Sequence, residues 1–212
     1  MKTESSRIIR AKAFDPQPIT LQGVHVRLEP VVPRHAEDLF AAGSDGAIWT
    51  YLPRPVLQSV EDTVGWIQEA LAAAAKGSEL PFAIIHRRSG KAIGSTRYLD
   101  IRREHRGLEI GWTWVGTAYQ RTPVNTECKS LLLTHAFEEL GAVRVQLKTD
   151  LRNERSQRAI ERIGAVHEGV LRKHMLRWDG FIRDTVYYSI LASEWPDVKR
   201  RLENLLRGPS TV

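Results

Sequence analysis

Apolar Val24, Val26 and Leu28 alternate with polar His25, Arg27 and Glu29, the period of a half-buried strand, and the spacing predicts a strand over Ile19–Pro30. Pro33 then opens a helix that runs to Ala42, with Ala36, Leu39 and Phe40 at helical spacing and Gly43 as its stop. An irregular stretch, Ser44–Leu57, precedes a second helix over Val60–Lys76, whose first turn carries Glu61 and Asp62. Pro81–Arg87 and Ala92–Ile101 read as a hairpin turning through Arg88, Ser89, Gly90 and Lys91. Gly107–Val115 is a further strand. Strict alternation would place Leu108, Ile110, Trp112 and Trp114 on one face, and Glu109, Gly111, Thr113 and Val115 on the other.

From Pro123 to Leu140, apolar Val124, Cys128, Leu131, Leu132 and Ala136 fall at helical spacing and Gly141 ends the run. Ala142–Thr149 reads as a strand, Asn153–Ile163 as a short helix closed by Gly164, and Ala165–Arg177 with Phe181–Leu191 as a hairpin turning at Asp179-Gly180. A last helix covers Trp195–Leu206, with Pro196 at its start. Such an order implies one α/β (mixed α+β) domain with parallel and antiparallel neighbours, which excludes a purely parallel doubly wound sheet. Residues 1–18 read as an N-terminal tail, 19–207 as the domain and 208–212 as a C-terminal tail.

Composition narrows this only a little. A chain of 212 residues, 42% hydrophobic and 26% charged, is long enough for one self-sufficient core and too ordinary to be disordered or fibrous. The single cysteine, Cys128, can form neither an internal disulfide nor a paired-cysteine zinc site, and the stretch before Phe14 lacks the apolar run of a leader or membrane span. A cytoplasmic setting without membrane attachment follows. The net charge of +6 is dispersed rather than blocked, which favours an anionic small ligand over nucleic acid.

The chemistry concentrates at Gln120-Arg121-Thr122-Pro123-Val124-Asn125-Thr126. Thr122 suits a helix N-cap and Pro123 the first helical position, so unsatisfied amides, the positive end of the helix dipole and Arg121 together could cradle a diphosphate; an ordinary cap is the plainer alternative. Asn153 suits a second cap beside Ser156. Glu109, on a strand face with room beside Gly111, is the candidate base, or else an ion-pair partner of Arg97 or Arg106. Cys128 lies on an apolar helix face as a spectator, and the seven histidines show no metal-ligand spacing, so no metal is expected.

These stretches resemble the GNAT acyltransferases, specifically the branch similar to the ribosomal-protein N-terminal acetyltransferases RimJ and RimL, over about Ile19–Trp195. Trp49–Pro53, Leu108–Trp114 and Asn153–Gly164 are most alike. The resemblance implies a central twisted sheet of about seven strands flanked by helices, with acetyl-CoA lying between the Leu108–Val115 and Ala142–Thr149 strands, against Trp114, Val115 and the 120–126 loop. That loop in the family reads Gln or Arg, two variable residues, Gly, one variable residue, then Gly or Ala; here Gln120 matches while Pro123 and Asn125 replace the small residues. Pro123 has no N–H to offer, which leaves the amides of Val124, Asn125 and Thr126.

By the same resemblance Asn153 contacts the pantetheine arm, and Ser156 lies near the sulfur. Ile160 stands where many members carry a tyrosine acid, so Ser156 or water would protonate the thiolate. Trp49, Tyr51, Trp112, His174 and Trp178 are candidates for an acceptor pocket. The implied activity is direct transfer of an acetyl group, in a ternary complex, to a primary amine of a protein N-terminus or small molecule, by a monomer or homodimer. The rival is a non-catalytic acyl-CoA-binding or RNA- or ribosome-associated module.

Overall fold

The computed structural model describes residues 13–207. The predicted first strand is two: β1 (Leu21–Gln22) and β2 (Val26–Pro30) pair antiparallel around a tight turn at Gly23, whose amide donates to the Val26 carbonyl at 2.8 Å. This split raises the sheet from the expected seven strands to eight. The turn is held from outside its own sequence: the buried Glu127 carboxylate accepts the amides of Val24, His25 and Val26, each at 2.7 Å. Only glycine fits beneath it, because a Cβ on Gly23 would lie 2.4 Å from the Glu127 carboxyl carbon.

Helices α1 (Ala36–Ala42) and α2 (Val60–Ala75) follow, α2 capped by Ser59, whose hydroxyl accepts the Asp62 amide at 3.1 Å. Then come β3 (Leu80–His86), β4 (Ala92–Arg102) and β5 (Gly107–Val115), all antiparallel. Helix α3 (Pro123–Thr134) ends in a π-turn over His135–Glu139 rather than running as α-helix to Leu140. The remaining elements are β6 (Arg144–Asp150), α4 (Glu154–Arg162), β7 (Val166–Leu176), β8 (Ile182–Leu191) and α5 (Trp195–Arg207). The strand order is β1-β2-β3-β4-β5-β6-β8-β7, in which only β5 and β6 run parallel.

Two cores clasp the sheet. Leu108, Ile110, Leu147, Val186 and Tyr188 pack beneath Cys128, Leu132 and Ala136 of α3 and Val198 and Leu202 of α5. On the other face, Ala83, Ile85, Ala92 and Trp114 pack beneath Ala36 and Leu39 of α1 and Trp66 and Ile67 of α2. Phe14, in the segment read as a tail, is 4% exposed within the first core, with the Arg106 guanidinium 5.8 Å above its ring. Ordered packing therefore begins before residue 19; most of the assigned tail, residues 1–12, and the C-terminal 208–212 lie outside the described residues. Among the described residues no helix is long and apolar enough to cross a membrane.

Candidate active site

The site begins where the sheet stops being continuous. β5 and β6 pair only through Gly107↔Arg144, Leu108↔Val145 and Glu109↔Gln146, although β5 continues to Val115 and β6 to Asp150. Beyond Glu109 the strands diverge, so the edge of β5 that faces β6 has main-chain groups free of the ladder and open to a ligand.

A bulge shapes that edge. Trp112 has φ 50°, and the register with β4 jumps from Arg97↔Gly111 to Ser95↔Trp114, so two residues of β5 face one of β4. The side-chain alternation reverses there. Leu108 and Ile110 face α3, and after the bulge Thr113 and Val115 do so, while Trp114 turns to the opposite core. The four-residue apolar face predicted for this strand is therefore broken at Trp112. Trp114 packs against Trp49 and Trp66 at centroid distances of 5.2 and 6.1 Å.

Trp49, expected in an acceptor pocket, is 2% exposed and donates its indole N–H to the Gly43 carbonyl at 2.7 Å. Its side chain and that of Trp114 belong to the core, because aromatic bulk is what fills the space between α1, α2 and the sheet. Trp112 instead lies under the Arg97 guanidinium, 4.5 Å from its carbon, and Arg97 is paired with Glu79 at 2.7 Å.

Glu109 is buried at the last rung before the gap. Its Oε2 is 3.0 Å from Lys148 Nζ and accepts a 3.0 Å hydrogen bond from Gln146 Nε2. The ion-pair partner is thus Lys148, two residues along the parallel neighbour, and neither Arg97 nor Arg106, which is turned to the Leu140 and Gly141 carbonyls. On the same face, His174 Nδ1 is 3.1 Å from Thr185 Oγ1, and burial, then the charges of Lys148 and Arg183, push its imidazole below the ordinary value. Tyr51 approaches from the segment after α1, with Arg152 5.8 Å from its ring centroid. Glu109, Tyr51, Trp112 and His174 therefore share one face, whereas Trp178 is an exposed residue of the β7–β8 turn.

On the α3 side, Thr122 caps the helix, its hydroxyl accepting the Val124 amide at 3.4 Å and donating to Tyr119 O at 2.6 Å. Arg121 holds φ 59°, with its side chain exposed beside the cap. Gln120 spends its side chain on the scaffold: Nε2 donates to Val115 O at 3.1 Å and Oε1 accepts from Arg155 at 2.7 Å. Thr126 Oγ1 accepts from Arg162 at 2.7 Å. The first helical amides beyond Pro123, flanked by Arg121, Arg155 and Arg162, fit a diphosphate in charge and donor type; half-buried Asn125 adds a side-chain donor. Asn153 caps α4 by accepting the Ser156 amide at 3.1 Å, and Ser156 is half-buried in the first turn of that helix. Ile160 is in the core.

Sequence reasoning passed over four site residues. Arg155 and Arg162 lie three residues before and four after Arg158 on a strongly amphipathic helix, but their bonds to Gln120 and Thr126 cross from α4 to the α3 start. Lys148 occupies an alternate position of β6 matched to Glu109. Lys129, beside Cys128, is buried and donates to Thr113 Oγ1 at 2.7 Å; burial pushes its ammonium down to about 8. Burial also lifts the Cys128 thiol to about 12, which keeps it protonated and unreactive. Among the described residues no group of three His, Cys, Asp or Glu side chains is placed to hold a metal ion.

Residues 25–166 match the family described as "Acetyltransferase (GNAT) domain". A GCN5-related N-acetyltransferase from Brucella melitensis superposes with a TM-score of 0.84 at 32% identity, covering 89% of this chain and 86% of that one. Mycobacterium smegmatis RimJ in complex with CoA-disulfide shares the fold at TM-score 0.77 and 22% identity, over 88% and 94% of the two chains. A Bacillus subtilis protein named "Putative ribosomal N-acetyltransferase YdaF" is 34% identical over 110 residues, which are 52% of this chain and 59% of that one. The chain belongs to the GNAT acetyltransferases. It is an acyl-CoA-dependent acetyltransferase.

Proposed function

We propose that the acetyl group passes directly from acetyl-CoA to a primary amine, of a protein N-terminus or a small molecule, with both substrates bound at once. The observation that carries this reading is the break in the β5–β6 ladder immediately after buried Glu109. CoA enters from the α3 side with its diphosphate on the Val124–Thr126 amides, and the thioester lies in the gap, its carbonyl oxygen polarised by an amide of β5. The amine arrives over the opposite face, which carries Glu109, Tyr51, Trp112 and His174. Holding the two reactants together supplies most of the acceleration.

The incoming ammonium gives one proton to Glu109 through a water, and the free amine attacks the thioester carbon. As the C–S bond breaks, the second proton of the attacking nitrogen passes through the Ser156 hydroxyl to the thiolate, so that Ser156 ends neutral and Glu109 gives its proton up to solvent. Lys148 and Gln146 orient the Glu109 carboxylate. Replacing Glu109 by Gln is expected to lower kcat/KM by roughly 10²–10⁴, with CoA affinity retained. An unchanged rate and pH profile in a variant of native melting temperature would remove Glu109 from the mechanism. Ser156→Ala tests the second proton transfer in the same way.

A further inference from the structure

Val145 and Leu147 of β6 and Val186, Tyr188 and Ile190 of β8 face the α3–α5 core. By alternation Lys148, Asp150, Arg183 and Thr185 face the opposite side, the side of Glu109. Arg183 stands out among them. It is 6% exposed, and among the described residues it makes no hydrogen bond or ion pair; its Nε is shielded from solvent without a partner. Burial pushes its guanidinium down, and the charges that oppose this belong to Asp150 and then Glu109.

Both of those carboxylates are already taken. Asp150, 1% exposed, accepts from Arg152 Nε at 3.0 Å and Nη2 at 2.9 Å, and stands 4.0 Å from Arg177. Glu109 is held by Lys148 and Gln146. Arg177 is committed as well, donating to Thr50 O at 2.6 Å and pairing with Asp179 at 3.4 Å. Four cations, Lys148, Arg152, Arg177 and Arg183, thus meet three carboxylates, Glu109, Asp150 and Asp179, and the excess charge rests on the one guanidinium with no partner. A buried guanidinium is costly unless something pairs it, and its planar fork matches a carboxylate.

We propose that Arg183 receives a carboxylate of the acceptor, so that the substrate class is an amine that also bears a carboxylate. The inference rests on the acetyl-transfer reading above and deepens it. The amine lies at the gap beside Glu109 while the carboxylate binds Arg183 further along β8, a two-point hold that fixes the nucleophile against the thioester. The bond formed and the bond broken are those of the proposed transfer; Arg183 changes only which amines arrive in register.

The test uses the full chain with acetyl-CoA and a homologous series of ω-amino carboxylic acids, from glycine to 6-aminohexanoic acid, each beside its carboxamide, with thiol release as readout. At least one acid is expected to exceed its carboxamide roughly ten- to hundredfold in kcat/KM, the range of one charge-assisted pair. Arg183→Met is expected to erase that preference through KM while carboxamide turnover is kept, and Arg183→Lys to restore part of it. Melting temperature should hold or rise in Arg183→Met, since an unpaired buried charge is removed. Carboxamides turned over as well as acids, or equal losses on both in Arg183→Met, would overturn the inference and leave acetyl transfer standing. Failure of every acid and amide would overturn it together with the small-amine form of the acceptor.

Discussion

At the start of α3 the groups facing the cleft are main-chain amides, whereas on β6 and β8 they are the charged ends of Lys148, Asp150 and Arg183. The donor end needs little from side chains: Thr122 and Gln120 spend theirs on the cap, Val115 O and Arg155, and Pro123 and Asn125 stand where the family has small residues. The backbone donor survives the substitution at Asn125 and is lost only at Pro123, because every residue except proline carries one. The acceptor end has no such tolerance. Each buried charge there must be matched by name, and the single mismatch, Arg183, is where the proposed discrimination between amines would be built.

The largest effect that sharpens this comparison is the loss of rate in Glu109→Gln, since that carboxylate borders both ends. Next comes the scaffold beneath the donor end. Glu127→Ala removes the acceptor for three amides of the β1–β2 turn and is expected to cost about 3 kcal/mol in urea denaturation, with the pH–rate profile unchanged. A loss near zero would mean that water satisfies the turn and that α3 is held by apolar contacts alone.

Lys129 belongs to α3 but reaches β5, and its effect depends on pH. With its ammonium at about 8 in the fold, against the ordinary 10.5 of a lysine, the unfolded chain binds more protons between those values. Stability due to this group is therefore present above pH 10.5 and lost as pH falls through 8. Lys129→Met should stabilise by roughly 2–3 kcal/mol at pH 7, with the gain shrinking as pH approaches 10.5, read from melts across that range. A gain that does not depend on pH would assign the effect to packing. The smallest expected change is in Pro123→Ala: one added amide should tighten CoA about two- to fivefold by calorimetry. Equal or weaker binding would show that the first helical position does not touch the diphosphate.

What could be read from sequence follows the range of the interaction concerned. Helix caps at Thr122 and Asn153 and the hairpin at Asp179-Gly180 are written within a few residues, and the structure carries them. The Phe181–Leu191 strand was legible as one arm of that hairpin, but the burial of Arg183 depends on tertiary packing that no local pattern encodes. The Trp112 bulge escaped because the register shift exists only against β4, and with it went the facing of Thr113 and Trp114. Lys148 escaped because its match to Glu109 requires the parallel β5–β6 pairing, which joins segments on opposite sides of α3. Trp49 was misplaced because its aromatic character suits a core and a pocket equally well.

The three-rung join between β5 and β6 also bears on how the molecule forms. On one side of it, β1 to β5 are neighbours in sequence as well as in space; on the other, β6, β8 and β7 come from a single later stretch of chain. Each half is assembled largely from near-sequence antiparallel pairings, which close quickly, while the parallel join must wait for the whole of α3 to cross over. The catalytic cleft is the meeting line of the two halves, so it has no existence in either alone and comes into being only in the step that completes the fold.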